Sequence, residues 1–404
     1  MASAVSKISL PSDSAPTAQE RPRATTGILP CQTIEEMLRA GEITAATDVL
    51  VDQIQPASID LRLGTIAYPM DASFLPGTGV TVLEKMRALD ECFEDFAIDL
   101  REGAVLEKGR VYVIPLLESL ALKSEVAGFA NPKSSTGRLD ILTRLIADGA
   151  TVFDQVEQGY HGQLYVEVAP RSFSIVVKTG ARLNQLRFQR SRRSATPMPI
   201  AADEWQELLS SGQITHVEGI ERKLSEEKGM LRFTVDLIGS GGENALIGWR
   251  ARKHSRRIDL EKRDYDPLDF WEPIRFHKTP SLTLDPDEFY ILMTKEAVAV
   301  PPNYAAEMVP YDTRAGEFRV HYAGFFDPGF GWNATTGKAG SSRAVLEVRS
   351  HEVPFLLEHG QTVGWLCYER MAARPQMLYG QGIGSNYQNQ ALKLAKQFRA
   401  FDKN

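Results

Sequence analysis

Cysteine is scarce in this 404-residue sequence: Cys31, Cys92 and Cys367 lie far apart and are odd in number. Neither a disulfide framework nor a four-ligand zinc site is written there, and a reducing cytoplasm fits best. The seven histidines, at positions 161, 216, 254, 277, 321, 351 and 359, show no metal-ligand spacing. No apolar run reaches the roughly 18 residues of a membrane span, so no membrane is implied. Residues 1–27 are rich in Ser, Ala, Thr and Pro without the apolar stretch of a signal peptide, and the sequence predicts a disordered tail over 1–28. Arg21 and Arg23 suit an organellar transit peptide, but Asp13 and Glu20 count against one. Charge of one sign is also missing: 46 Lys and Arg stand against 52 Asp and Glu, a net charge of −6, so no global field favours nucleic acid. A small polyanion would need local basic residues.

What the chain does contain is itself, twice. Thr33-Ile34-Glu35-Glu36-Met37-Leu38-Arg39-Ala40-Gly41-Glu42-Ile43 is echoed by Asp203-Glu204-Trp205-Gln206-Glu207-Leu208-Leu209-Ser210-Ser211-Gly212-Gln213-Ile214, each a capped amphipathic helix ended by glycine. Ser58-Ile59-Asp60-Leu61 returns as Thr234-Val235-Asp236-Leu237. Tyr112 returns as Tyr290, and Tyr165-Val166-Glu167-Val168 as Val345-Leu346-Glu347-Val348, shifts of about 178 to 180 positions. A period this long means two copies of a domain. The segments between are short, β-branched or aromatic, and punctuated by Gly, Pro, Asn and Asp, which reads as a mostly antiparallel β unit behind one leading helix. The junction falls in 189–203, where Arg190, Arg192 and Arg193 meet Pro197 and Pro199 as a solvated linker.

Lys133-Ser134-Ser135-Thr136-Gly137-Arg138 supplies a cation, hydroxyls and an arginine, and Tyr165-Val166-Glu167 follows with a carboxylate on a strand. That is the order a nucleoside triphosphate site needs: Ser134 and Ser135 to donate to phosphate oxygens, Lys133 for charge. Glu167 and Glu347 both stand in otherwise apolar strand sequence, where burial would push a carboxyl towards neutrality and fit it for proton transfer. Either could equally be the outward glutamate of an alternating strand.

Residues 33–188 and 203–390 resemble the dCTP deaminase and dUTPase superfamily, in motif order closest to dCTP deaminase. The first half carries Gln55-Pro56-Ala57-Ser58-Ile59-Asp60-Leu61-Arg62-Leu63-Gly64, similar to the family's opening strand, and 133–138 where the family has an Arg-Ser-Ser phosphate motif ending in arginine. The second half has Tyr311-Asp312-Thr313-Arg314-Ala315-Gly316 there, whose aspartate would repel a triphosphate. It keeps Phe326-Asp327-Pro328-Gly329-Phe330, like the family's Asp-Pro-Gly turn, where the first half has Val156-Glu157-Gln158-Gly159-Tyr160. It also ends in Tyr379, Asn386, Tyr387 and Gln390, spaced like the family's closing segment, with Asn386 in place of the family's lysine.

The resemblance implies a mostly β fold: two tandem dUTPase-like β-barrel (β-clip) domains, each with a leading short helix. The first spans 29–195; the second spans 196–404 and includes a C-terminal lid. It implies zinc-independent hydrolysis of dCTP to dUTP and ammonia, with magnesium accompanying the triphosphate and a homo-oligomer, a trimer or a multiple of one. Rings of first halves stacked on rings of second halves would keep three-fold symmetry; mixed rings would not. Glu167 or Glu347 is the expected acid–base group, with Arg138 holding the water and Ser134 beside it. Tyr165, Val166, Gln185, Val345 and Leu346 are expected in the pocket, and Asp327, Tyr379, Asn386 and Gln390 on a second wall. The halves look complementary, and a composite site is one expectation; one competent half beside a scaffold half is the other. Water has a pKa of about 15.7 and needs activation. The zinc deaminases' His-x-Glu and Pro-Cys-x-x-Cys pattern is absent from the sequence. Alternatives within the family are dUTP pyrophosphatase or both activities; outside it, a regulatory protein that binds nucleotide without turnover.

Three other motifs carry nothing. Gly331-Trp332-Asn333-Ala334-Thr335-Thr336-Gly337-Lys338 has one residue too many for a P-loop, Gly239-Ser240-Gly241-Gly242 reads as a turn, and Ala251-Arg252-Lys253-His254-Ser255-Arg256-Arg257 as a solvated loop.

Overall fold

The computed structural model describes residues 26–191, 199–214, 230–310, 318–320, 324–350, 352–380 and 392–401. The chain is mostly β, and among the described residues no helix is long and apolar enough to cross a membrane. The tail reading covers three described residues, and there the structure differs: Gly27–Ile28 form a strand paired with Gln189 and Arg190. Ile28 is an apolar residue with a buried place to go.

The leading helices, Cys31–Arg39 and Ala202–Ser210, lack side-chain caps at their starts but end alike. Gly41 and Gly212 adopt φ of 73° and 71°. The next residues return their N–H groups, Glu42 to the Met37 carbonyl at 2.9 Å and Gln213 to that of Leu208 at 3.0 Å. This Schellman closure needs a left-handed residue, which glycine supplies without a Cβ penalty.

Sheet topology repeats the duplication. One first-half sheet runs Gln155–Val156, Val126–Pro132, Arg182–Arg190, Ser58–Arg62; the second half repeats it as Phe325–Phe326, Tyr304–Pro310, Thr362–Arg370, Met230–Thr234. The other runs Ile141–Ala147, His161–Pro170, Val111–Ala121, Ile66–Met70, Ile98–Asp99. Its copy is Phe318–Val320, Arg343–Ser350, Phe289–Ala297, Leu246–Ala251, Trp271–Arg275. Every neighbouring pair in these four sheets is antiparallel.

The halves part company in one crossover. After Ile66–Met70 the first half inserts residues 71–97, carrying the helix Val82–Leu89. Thr81 starts it with a capping box, accepting from the Glu84 N–H at 3.2 Å while Glu84 accepts from that of Thr81 at 2.8 Å. Val82, Met86, Phe74 and Phe93 bury against Met70, Val113, Ile146 and Tyr165, closing that face of the sheet. The corresponding stretch of the second half, 252–270, reaches the other half instead. Its strand Ile258–Asp259 pairs in parallel with Ile175–Val177, and Phe270 meets Phe173 edge-on at 5.9 Å. The largest apolar cluster therefore mixes Ile59, Leu61, Phe173 and Ile175 with Trp249, Phe270, Trp271 and Ile291. Burial of that surface, more than any linker, holds the halves together.

Candidate functional site

The strand Val126–Pro132 stops at a residue that cannot donate to a ladder, and the chain turns into the single helical turn Ser134–Gly137. The Lys133 carbonyl accepts from Thr136 and Gly137 at 2.8 and 3.0 Å, and its own N–H donates to Leu183 at 3.0 Å, which ties the turn to Arg182–Arg190. The Lys133 ammonium pairs with Asp60, a buried carboxylate that Arg182 also approaches at 3.8 Å. Ser135, Thr136 and Arg138 are buried; Lys133 and Ser134 are half-buried. Arg138 Nη1 donates to the Lys393 carbonyl at 2.7 Å. Gln185 sits alongside, with Oε1 accepting from Ser58 at 3.4 Å and Nε2 reaching the Pro132 carbonyl at 3.5 Å.

The facing wall comes from the second half. Along Arg343–Ser350, Leu346 and Val348 enter the second half's own core, so Val345, Glu347 and Arg349 point the other way. Val345 packs on the shared cluster, and Arg349 pairs with Asp140, a fully buried carboxylate that also accepts from Ser172 at 2.6 Å. Between them the Glu347 carboxylate lies on the backbone of Gly137: a Cβ built there would meet Oε2 at 2.3 Å and Oε1 at 2.7 Å. Glycine in the clamp is thus the condition for an acid from the other half to reach it.

Asp327 approaches the opposite end of the clamp. Burial pushes its carboxyl pKa up, against the pull of Arg187, with Asp60 and Lys133 near enough to act on it as well. Arg187, 1% exposed, spans the seam: it stands 3.5 Å from Asp327, lies 4.0 Å over the Phe325 ring and donates to the carbonyls of Ala306 and Phe326 at 3.3 and 3.4 Å. The Tyr379 N–H donates to Pro328 at 2.8 Å and its ring lies 5.6 Å from Phe330, so it stands on the Asp-Pro-Gly turn.

Of the residues singled out by sequence, Glu347 meets residues 133–138 at Gly137, Gln185 stands by the Pro132 carbonyl that leads into the turn, and Asp327 lies near enough to Lys133 to feel its charge, while Val345 packs on the shared cluster and Tyr379 on the Asp-Pro-Gly turn. Val166 and Leu346 are core residues. Tyr165 lies under the inserted helix, its hydroxyl pushed by burial up to about 12. Glu167, 1% exposed, accepts from Arg144 Nε and Nη2 at 2.9 and 2.5 Å; Arg144 also donates to Ser73 at 2.6 Å and covers the Phe153 ring at 3.9 Å. Its charge is matched across its own sheet. Asn386, Gln390 and the stretch 311–316 lie outside the described residues. Sequence reading missed Asp60, Arg182 and Arg187 as parts of the site. Asp60 carried a signal, since both halves keep an aspartate there and Asp236 likewise meets a cation, Arg343, at 2.6 Å.

Known proteins resemble the chain along both of its halves. The family model of the 2'-deoxycytidine 5'-triphosphate deaminase N-terminal domain matches residues 25–192, and that of the C-terminal domain matches 202–398. A dCTP deaminase of Shewanella amazonensis is 26% identical over 163 residues, 39% of this chain but 80% of that one. A dUMP-forming dCTP deaminase of Pseudarthrobacter chlorophenolicus is 32% identical over 120 residues, 29% of this chain and 58% of that one. The crystal structure of 2'-deoxycytidine 5'-triphosphate deaminase from Agrobacterium tumefaciens superposes with a TM-score of 0.78 at 48% identity, covering 87% of this chain and 100% of that chain. With both family models matched in order and a full-length structural counterpart, the chain belongs to the 2'-deoxycytidine 5'-triphosphate deaminase family.

Proposed function

We propose that the protein hydrolyses dCTP to dUTP and ammonia at a composite site, with residues 133–138 of the first half gripping the phosphates and Glu347 of the second moving protons. Water adds to cytosine C4 as Glu347 takes its proton and passes it to the ring; the C4–N4 bond then breaks, and N4 leaves as ammonia with a second proton from the added oxygen. One water is consumed and one ammonia released, with no redox change. Arg138, beside Glu347 on the clamp, orients the water, and Lys133, Ser134 and Ser135 hold phosphate oxygens. Lysine in the family's arginine position keeps the charge and loses the two-pronged grip. Positioned acid–base groups of this kind contribute about 10²–10⁴ in rate.

The observation that carries the reading is the Glu347 carboxylate lying on Gly137, against the Arg144-bound Glu167. Replacing Glu347 by Gln should cut ammonia release from dCTP by roughly 10²–10⁴, while Glu167→Gln retains turnover. Equal losses from the two variants, or pyrophosphate in place of intact dUTP, would refute it.

The same repetition of strand order supports two tandem β-barrel units, divided near 195, with the lid on the second. Magnesium enters as part of the substrate, held by phosphate oxygens and water; Asp60, a carboxylate beside the clamp, is paired with Lys133. Assembly into a homo-oligomer, a trimer or its multiple, and a cytoplasmic setting complete the reading; light scattering tests the former.

A further inference from the structure

The halves also meet at an open cleft of about 540 Å³ that none of residues 133–138 lines. Small-molecule sites occupy about 300–1,000 Å³. The first half supplies Lys108, Ser172 and Ser174; the second supplies Lys253, His254 and Arg256 from the basic run 251–257. Two of these cations are matched, Lys253 by Glu288 at 2.7 Å and Arg256 by Asp269. Lys108 is not: among the described residues its ammonium bonds only the Lys253 carbonyl, at 3.3 Å. That contact sets one cationic side chain on the backbone of another cationic residue, across the seam between the halves. The cleft therefore keeps a positive surplus, which an anion would offset.

Lys253, His254 and Arg256 are exposed, as a solvated loop requires, yet their segment is fixed at both ends. Arg252 Nε donates to the Leu268 carbonyl at 3.0 Å, and the Ile258 N–H donates to the Ser174 carbonyl at 2.9 Å. The Ser174 hydroxyl accepts from the Lys108 N–H at 3.1 Å, which leaves its own hydrogen to donate. Backbone ordering is thus largely complete before any ligand arrives. Exposed charges are screened, so one cation would hold little; several donors converging on one group are needed. A phosphate, with up to two charges and three terminal oxygens, uses such a set better than a carboxylate does.

We propose that this cleft binds a phosphate group, free or carried on a small molecule, between Lys108 and Ser174 of the first half and Lys253, His254 and Arg256 of the second, and that the bound phosphate staples the halves together. The staple acts where the halves are already joined. Ser172, in the cleft wall, donates to Asp140 at 2.6 Å; Arg349, the partner of Asp140, donates to the carbonyl of Asp287, the neighbour of the Glu288 that holds Lys253. The inference stands apart from the deaminase reading, and its test needs no turnover.

The test is the melting temperature of the full chain, titrated with inorganic phosphate and with ribose 5-phosphate at constant ionic strength, beside its Lys108→Gln, Lys108→Glu and Ser134→Ala variants. A ligand bound only by the folded chain should raise the wild-type value by about 2–4 °C near saturation. Phosphate salts also stabilise proteins by exclusion from their surfaces, so the variants carry the decision. Lys108→Gln, having lost one charged hydrogen bond, should need about 10-fold more ligand for the same shift; Lys108→Glu should lose the saturable shift, and Ser134→Ala should keep it. Tighter half-saturation by ribose 5-phosphate supports the site with a phosphorylated molecule as its ligand, and equal values support it with free phosphate. No saturable shift in the wild type, or one that Lys108→Glu retains, overturns the proposal; a shift that Ser134→Ala abolishes belongs to the clamp and overturns it too. Should the Lys108 variants not fold, wild-type crystals grown in ribose 5-phosphate decide: phosphate density between Lys108 and Lys253 supports the site, and an empty cleft overturns it.

Discussion

Gly137→Ala is the sharpest perturbation of the composite site, because the backbone there is an ordinary helical turn that alanine favours. All of its effect must come through the added methyl. That methyl would lie 2.3 Å from Glu347 Oε2 and 2.7 Å from both Cδ and Oε1, so the carboxylate must retreat by roughly 1 Å to reach ordinary contact, a displacement that can cost about 10²-fold when it moves a catalytic group. Overpacking of this kind also destabilises by about 1–3 kcal/mol. The assay is ammonia release from saturating dCTP, with the melting temperature in parallel. The expected result is a fall of about 10²-fold in kcat with a modest fall in stability. A second variant isolates the cause: combining Gly137→Ala with Glu347→Asp withdraws the carboxylate by one methylene and vacates the space, so the double variant should lose less than the two single losses multiplied. Wild-type kcat in a folded Gly137→Ala protein, or strict multiplicativity in the pair, would show that clamp and acid do not act together.

Glu167→Gln should lower the melting temperature, because Arg144 loses its buried partner, by an amount corresponding to about 1–3 kcal/mol, while leaving turnover in place. Arg349→Met strands the fully buried Asp140 charge between the halves, and about 3–5 kcal/mol of stability should go with it, measured by urea unfolding. Stability should also fall with rising pH across the acidic range. Burial raises Glu307, against the pull of Arg187 and with Glu369 adding, to about 7, and raises Asp154 to about 7 despite the bond from Leu145. Between the unfolded carboxyl values near 4 and these folded values the native state binds more protons, so its stability declines as pH rises through that window and levels off above it. Glu307→Gln should flatten part of that slope in a melting-temperature series; an unchanged slope would contradict the assignment.

Much of this architecture was readable before any coordinates. The strand order of the first half reappears in the second, with offsets that drift where turn lengths differ, because alternating β-branched segments fix which residues pair. The glycines after the leading helices marked real helix ends. What sequence could not do was rank Glu167 against Glu347, since both strands present the same apolar-Glu-apolar pattern. The difference lies 23 residues upstream of Glu167, where Arg144 stands opposite it in the ladder, and in the insertion 71–97, whose apolar residues give no hint of which sheet face they cover. Arg187 was missed because it stands in a strand with five other polar residues, from Arg182 to Arg190, and nothing local singles it out, while its partners, Asp327 and Phe325, belong to the other half of the chain.

That insertion also explains why equal topologies yield unequal halves. In the first half, Tyr165 and its neighbours are sealed by Val82, Met86 and Phe93, so the sheet face bearing Glu167 has no surface left to offer a partner. Among the described residues the second half has no such cover. Its equivalent face would leave Val345 in water and Arg349 unmatched, and both are instead satisfied by the first half, through the shared apolar cluster and Asp140. Docking to bury that face and delivery of Glu347 to the clamp are thus one event: the apolar and ionic contacts on either side of the glutamate supply the free energy, and Gly137 supplies the room. Removing residues 71–97 would not create a second site of this kind, because Glu167 would still be bound by Arg144 across the ladder.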